Sequence, residues 1–210
     1  VVYNFLHTLD YRGNPDTLYL DPTYTYNLKV HTIPPVIKEN FTLSAGEHNT
    51  IAVDAGQGYL TLQIDGVTNY KDLKAVIYKH SSSEIVNVQD FNDKQQYLVG
   101  EYDLEILTLP RIRQENVGVV QNKTTTLQVQ QPGKLNIVTR KKLEIAIYRN
   151  YKGETEMVKR LNLQGNQTVT VLQPGKYDLI YRESAIKETL KTKVRNFSIK
   201  SGEITHININ

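Results

Sequence analysis

The stretch 102–130, YDLEILTLPRIRQENVGVVQNKTTTLQVQ, decides the fold. Tyr102, Leu104, Ile106 and Thr108 alternate with Asp103 and Glu105, the pattern of a strand with one buried face. The run stops at Pro110, turns apolar at Val117, breaks at Gln121-Asn122-Lys123 and closes in a second alternating run. Upstream, residues 26–54, YNLKVHTIPPVIKENFTLSAGEHNTIAVD, repeat the design. A looser copy begins at Tyr177 and ends in FSIKSGEITHINI, residues 197–209. The copies start at 26, 102 and 177, so the period is about 75 residues, the mark of a repeated structural unit.

The phase is shared. Tyr26, Leu28, Val30 and Thr32 match the inward set, with Asn27, Lys29 and His31 outward. A one-residue slip would turn the apolar set to water, so shared phase argues for shared register. Pro34 and Pro110 hold the same place in two copies and should end the strand, because proline has no amide hydrogen for a ladder. Gly46, Asn122 and Gly202 also correspond, and Gly and Asn are the residues that most readily take positive φ. Hairpins are therefore expected between Leu43 and Ile51, Val119 and Leu127, and Ile199 and Ile207. FTLSAGE (41–47) and FSIKSGE (197–203) keep Phe, Gly and Glu in place.

In chain order, a first turn falls at Arg12-Gly13-Asn14-Pro15 and a short strand at 18–20. Further strands are read at 59–64, 75–78, 84–88, 96–99, 135–138, 145–148, 156–163 and 168–172, with turns at Asp65-Gly66, at 80–83, at Phe91-Asn92-Asp93 and at 151–153. Residues 187–194, KETLKTKV, are read as strand over helix on their two threonines and Val194. Six or seven short strands per unit, with Gly and Pro between, is the pattern of a small β-sandwich. The expected fold is all-β, with little or no helix: tandem sandwiches of prealbumin-like or Ig-like type, divided 1–54, 55–130 and 131–210. The first of these lacks its opening strand or strands. Val1-Val2-Tyr3 reads as mid-strand, so a longer natural chain is expected.

Composition narrows the function. With 210 residues, 39% hydrophobic and 22% charged, the chain can build several modest cores. No apolar run approaches the roughly 20 residues of a membrane-spanning helix. The absence of cysteine excludes disulfides, zinc thiolates and thiol catalysis. A net charge of +3 is dispersed, and the one basic triplet, Arg140-Lys141-Lys142, reads as a solvated turn, so no nucleic-acid partner is expected.

The runs LDPTYTYNLKVHTIPPV (20–36), GEYDLEILTLPR (100–111) and LQPGKYDLIYR (172–182) carry a family resemblance. Together they resemble the region that follows the metal-binding domain in bacterial von Willebrand factor A-domain proteins. Those proteins are labelled CoxE-like or calcium-activated chloride-channel homologues. The G-[KE]-Y-D-L strand is similar to prealbumin-like, carboxypeptidase-regulatory-like sandwiches of bacterial surface proteins. The resemblance implies the periplasm or cell surface of a Gram-negative bacterium and an A domain upstream in the natural chain. The A domain's D-x-S-x-S motif is absent here, so none of its metal ligands transfers to this chain.

Candidate chemistry is sparse. His7, His31, His48, His80 and His206 include no pair at metal-site spacing and read as solvent-facing. Asp90-Phe91-Asn92-Asp93 has three oxygen side chains but not the spacing of a calcium loop. His80-Ser81-Ser82-Ser83-Glu84 has the residue types of a hydrolase triad, but triad members come from separate elements meeting in a cleft. Gly56-Gln57-Gly58 is not followed by a helix and makes no nucleotide motif. The sequons at Asn40, Asn122, Asn166 and Asn196 and the short Asp16-Thr17-Leu18 pattern read as incidental.

Fourteen tyrosines stand beside no tryptophan. Tyr26, Tyr102 and Tyr177 recur and take core or corner roles, while Tyr11, Tyr24, Tyr70 and Tyr151 fall in loops and are the protein-contact candidates. The expectation is a non-catalytic spacer with a protein-binding surface and no cofactor or metal. A carbohydrate-binding module is the alternative, for which three coplanar exposed tyrosines in one groove would speak. An enzyme would need a cleft holding a polar pair of shifted pKa.

Overall fold

The computed structural model describes residues 18–66, 70, 72–185 and 191–209. Apart from a single residue of 3₁₀ conformation at Lys191, every regular element among them is a strand, and the chain is built of small β-sandwiches in tandem. The described residues of Val1–His31 and Pro35–Ala55 form one compact unit, and those of Thr32–Pro34 and Gly56–Asn210 form another.

The first unit holds an antiparallel pair, β1 (Tyr26–Val30) and β2 (Val36–Phe41). Tyr26, Leu28 and Val30 share the more buried face and Asn27 and Lys29 are exposed, as the alternation requires. A bulge lies between Tyr26 and Leu28, and there Asn40, at φ 55°, donates its backbone N–H to Asn27 Oδ1 at 2.8 Å. The Tyr26 hydroxyl donates to the Asp21 carbonyl at 2.8 Å.

The second unit contains two sandwiches of one strand order. The earlier runs β3 (Gln57–Ile64), β4 (Lys74–Lys79), β5 (Ile85–Asp90), β6 (Lys94–Leu98), β7 (Gly100–Ile106), β8 (Ile112–Val119) and β9 (Thr124–Val129). Its sheets are β6-β3-β9 and β5-β4-β7-β8. The later runs β10 (Gly133–Thr139), β11 (Lys142–Tyr151), β12 (Glu154–Gln164), β13 (Gln167–Leu172), β14 (Gly175–Glu183), β15 (Lys193–Ile199) and β16 (Ile204–Ile209). Its sheets, β13-β10-β16 and β12-β11-β14-β15, repeat the plan strand for strand.

Between each pair of sheets lies a core of alternate residues. Leu60, Leu62, Ile77, Tyr97, Leu104 and Ile106 centre the first, and Leu135, Ile137, Ile147, Leu172 and Leu179 the second. Each fully buried aliphatic side chain contributes about 1.5–3 kcal/mol of transfer free energy. Tyr102 and Tyr177 are buried, and each hydroxyl donates to a carbonyl four residues back, Leu98 at 2.8 Å and Gln173 at 2.6 Å. Burial pushes the Tyr102 phenol up to about 12 and the Tyr177 phenol further still. The expected strands within these sandwiches are present, and Gly46, Asn122 and Gly202 all take positive φ.

Four expectations are corrected. The turns at Asn122 and Gly202 do not close hairpins. They carry the chain from one sheet to the other, and β9 and β16 lie parallel to β3 and β10. Crossing brings Val129 into the core that holds Leu60 and Leu62, and Ile207 into the core that holds Leu135 and Ile137, apolar surface that a hairpin would leave on an outer edge. The turn at Gly46 forms, but neither Leu43 nor Ile51 is in a strand, and residues 18–20 are not a strand either. The physical reason is common to both. In the sandwiches, the strands that correspond to 18–20 and to Ile51, β6 with β13 and β9 with β16, pair only with β3 or β10, and the described residues of the first unit include no counterpart of that central strand; Leu43 lies past the end of β2, which stops at Phe41. Tyr151, expected in a loop, is the last residue of β11. The turn at Arg12-Gly13-Asn14-Pro15, Tyr11, His7 and residues 187–190 lie outside the described residues; of the rest of 187–194, Lys193 and Val194 open β15.

Candidate functional site

Asp103 is where polar side chains converge. It projects from β7 opposite the inward Tyr102 and Leu104, toward the β4–β5 turn. Its Oδ1 accepts from His80 Nδ1 at 3.0 Å and from the Asn116 backbone N–H at 3.0 Å, and its Oδ2 accepts from the Ser81 N–H at 2.9 Å. His80 Nε2 in turn lies 3.0 Å from Ser81 Oγ. The hydrogen bond from His80, with the two backbone donors, holds the Asp103 carboxyl down at about 2. That same bond, aided by the charges of Asp103 and Glu101, raises His80 above its ordinary value of 6.5.

The Ser81–His80–Asp103 chain has the partners of a hydrolase relay, with the acid coming from a separate strand. Its geometry is that of a fastened turn. Ser81 and His80 are consecutive, Ser81 is exposed at φ 55°, and its own N–H is bound to the carboxylate. A nucleophile needs a walled site with oxyanion donors, and this one stands on an open turn. Asp103 has counterparts in the other copies. Asn27 receives the Asn40 N–H, and Asp178 receives the Asn196 side-chain amide. The feature is thus a repeated tie between neighbouring strands, and the recurrence of Asn40, Asn116 and Asn196 beside Asn27, Asp103 and Asp178 was its signal in the sequence.

The contact candidates are placed differently from one another. Tyr24 lies in the turn before β1 and is 63% exposed. Tyr151 is 37% exposed, with the Arg149 guanidinium 4.6 Å and the Lys152 ammonium 5.6 Å from its ring centre. Tyr70 packs against the first core, and its hydroxyl takes hydrogen bonds from the Leu109 N–H and from Gln173 Nε2.

A depression of about 530 Å³ opens on the outer face of β12-β11-β14. Ala146 forms its floor, where the first sandwich has the larger Val76. Ile180 and Tyr148 flank it, and Arg160, Asn162 and the Glu144–Arg182 ion pair ring it. Arg182 grips Glu144 Oε2 with Nε at 3.0 Å and Nη2 at 2.7 Å. Two tyrosines, Tyr148 and Tyr181, line it rather than a coplanar set of three.

No group of three His, Cys, Asp or Glu side chains among the described residues could hold a metal ion. Phe91 and Asn92 form the β5–β6 turn, with Asn92 at φ 68°. His206 Nδ1 faces Asn136 Nδ2 at 3.1 Å. Among the described residues, no helix is long and apolar enough to cross a membrane.

No family profile matches this chain, and no curated protein does. Among solved structures, the TIE protein of Bacillus anthracis is similar at 18% identity and TM-score 0.30 over 73% of this chain. The chain spans 33% of that protein's length. GBS52, the minor pilin of the Gram-positive pathogen Streptococcus agalactiae, is similar at 10% identity and TM-score 0.38, over 73% of this chain and 94% of the pilin.

Proposed function

We propose that this chain is a non-catalytic array of three β-sandwich modules, 1–54, 55–130 and 131–210, that serves as spacer and protein-interaction surface in a bacterial envelope or extracellular protein. The observation that carries the reading is the repeated tie at Asn27, Asp103 and Asp178. The Ser81–His80–Asp103 constellation, with its catalytic residue types, is spent on joining strands, and the tie recurs where no histidine accompanies it. Tyr24 and Tyr151 are the contact residues of this reading, since exposed aromatic rings, one before β1 and one at the end of β11, give large contact area at small entropic cost. The sequence resemblance adds a von Willebrand factor A domain upstream and a Gram-negative periplasm or surface as the setting. Two experiments test this. Immobilised protein and its Tyr24→Ala/Tyr151→Ala variant are exposed to envelope extract; a partner held by the parent and lost by the variant supports the reading, and equal recovery from both ends it. The natural sequence ahead of Val1 should carry D-x-S-x-S between a strand and a helix.

A carbohydrate-binding module is the second reading, favoured by the depression on the second sandwich. An apolar floor ringed by planar Arg, Asn and Glu groups suits a sugar's C–H face and its vicinal hydroxyls. With one tyrosine ring on its outer face and no tryptophan, the site offers little stacking area, which ranks this reading second. A glycan array with parent and Ala146→Val proteins separates the two readings: sugar binding that the valine abolishes would put the second first.

A further inference from the structure

The segment after β7 does not stay with its own sandwich. Leu109 packs against the second core. Its carbonyl accepts the Gln173 N–H at 2.8 Å, and its N–H donates to the Tyr70 hydroxyl at 3.2 Å. Gln173 is buried, and its Nε2 reaches the same hydroxyl at 3.4 Å. Arg149 Nη2 donates to the Arg111 carbonyl at 3.2 Å, a further tie from the second sandwich to this segment. Thr108 Oγ1 closes over the Pro110 carbonyl at 2.7 Å, fixing the tripeptide Thr108-Leu109-Pro110 in one shape.

The same arrangement occurs at Thr32–Pro34. Ile33 packs against the first core, its carbonyl accepts the Leu98 N–H at 2.7 Å, and Thr32 Oγ1 donates to the Pro34 carbonyl at 2.6 Å. Leu98 and Gln173 are corresponding residues, for each also gives its carbonyl to the corner tyrosine, Tyr102 or Tyr177. In both sandwiches one residue of the corner therefore faces two ways. Its carbonyl is held by the tyrosine, and its N–H is presented to an incoming Thr-x-Pro whose middle residue fills the end of the core.

We infer that this corner is a recognition socket, and that its cognate is Thr-[Ile/Leu]-Pro at the end of the β7-type strand of a preceding sandwich of the same kind. The inference rests on the spacer reading and gives it a mechanism: the two sandwiches of the second unit are locked by a motif rather than tethered by a linker. Sequence marks which sandwiches can offer the motif. At the corresponding place after Tyr177 the second sandwich has Glu183-Ser184-Ala185, and there the Ser184 N–H donates to the Lys142 carbonyl at 2.9 Å. β14 thus keeps pairing along β11 where β7 has already left for the next socket.

The absence of cysteine allows a clean test on the full chain. Spin labels at Glu84→Cys and Gln164→Cys, one exposed site on each sandwich, report their separation. The parent should give one narrow distance distribution. Leu109→Asp should broaden it and speed amide exchange at Gln173 by about tenfold or more. Leu107→Asp, at an exposed neighbour, should do neither. Should Leu109→Asp unfold the second sandwich, Tyr70→Phe is the milder variant: it removes two hydrogen bonds to the socket, and faster exchange at Gln173 is again expected. A distribution as narrow in Leu109→Asp as in the parent, or unchanged Gln173 exchange in Tyr70→Phe, overturns the socket. Partner capture plays no part in this readout, so the socket and the spacer reading fail separately.

Discussion

The Tyr177 hydroxyl donates to the Gln173 carbonyl at 2.6 Å, and the ring that carries it is 3% exposed. A buried carbonyl that loses its donor is left unsatisfied, which costs more than the hydrogen bond contributes. Tyr177→Phe is expected to destabilise the second sandwich by about 1–3 kcal/mol, and Tyr102→Phe the first by a similar amount. Tyr26→Phe should have a smaller effect, because Tyr26 and the Asp21 carbonyl are less shielded from water. Chemical denaturation of the three variants gives the comparison, and equal losses would contradict it.

The His80–Asp103 pair should leave a signature in pH. Asp103 sits lower in the folded chain, at about 2, than its ordinary 3.8, so its contribution is present above about pH 4 and is lost as pH falls toward 2. His80 is raised above 6.5, so its contribution is complete below 6.5 and is lost as pH rises through the raised value. Between those limits the pair stabilises most. His80→Gln should flatten the alkaline limb and shrink the acid limb to what the Asn116 and Ser81 N–H groups sustain; Asp103→Asn should remove both. Melting temperature followed from pH 3 to 9 checks each limb, and NMR titration of the His80 ring should give a midpoint above 6.5.

Gly133 and Gly118 should respond oppositely to alanine. A methyl group at Gly133 would sit 2.4 Å from the Lys200 carbonyl oxygen and 2.6 Å from Ile199 Cγ2, where β10 passes under the crossing to β16. Gly133→Ala is expected to cost about 1–3 kcal/mol or more through overpacking. At Gly118 a methyl group meets nothing within 4 Å. Gly118→Ala should be neutral or stabilising by about 0.4–1 kcal/mol, through a less free unfolded chain. Thermal unfolding of the two variants would settle the contrast.

Asn122, at φ 57°, turns the chain between the two sheets. Asn122→Val places a β-branched residue in the left-handed region and should cost about 1–2 kcal/mol, whereas Asn122→Gly should be tolerated. If valine is accepted as readily as glycine, the turn is not fixed by that dihedral.

What the sequence disclosed was local. The inward phase of Tyr102, Leu104 and Ile106 and the left-handed turns at Asn122 and Gly202 depend on residue type and on spacing of two, and both are as read. Pairing is not local. Nothing in Thr124–Val129 says that its ladder partner is β3, more than 60 residues earlier, rather than the adjacent β8. The same limit hid Asp103 and Leu109. Asp103 takes two of its partners from the backbone N–H groups of Ser81 and Asn116: the recurring asparagines mark the place, but residue type does not say where a backbone N–H points. Leu109 reads as an apolar residue in a connector until the neighbouring core is seen around it.

In each complete sandwich the opening and closing strands lie side by side and run the same way, β3 with β9 and β10 with β16. Tension drawn along the polypeptide therefore enters at one end of such a pair and leaves at the other. It loads the rungs of that ladder together, in shear, instead of peeling them one after another. A chain so threaded should resist stretching better than one whose terminal strands peel apart rung by rung.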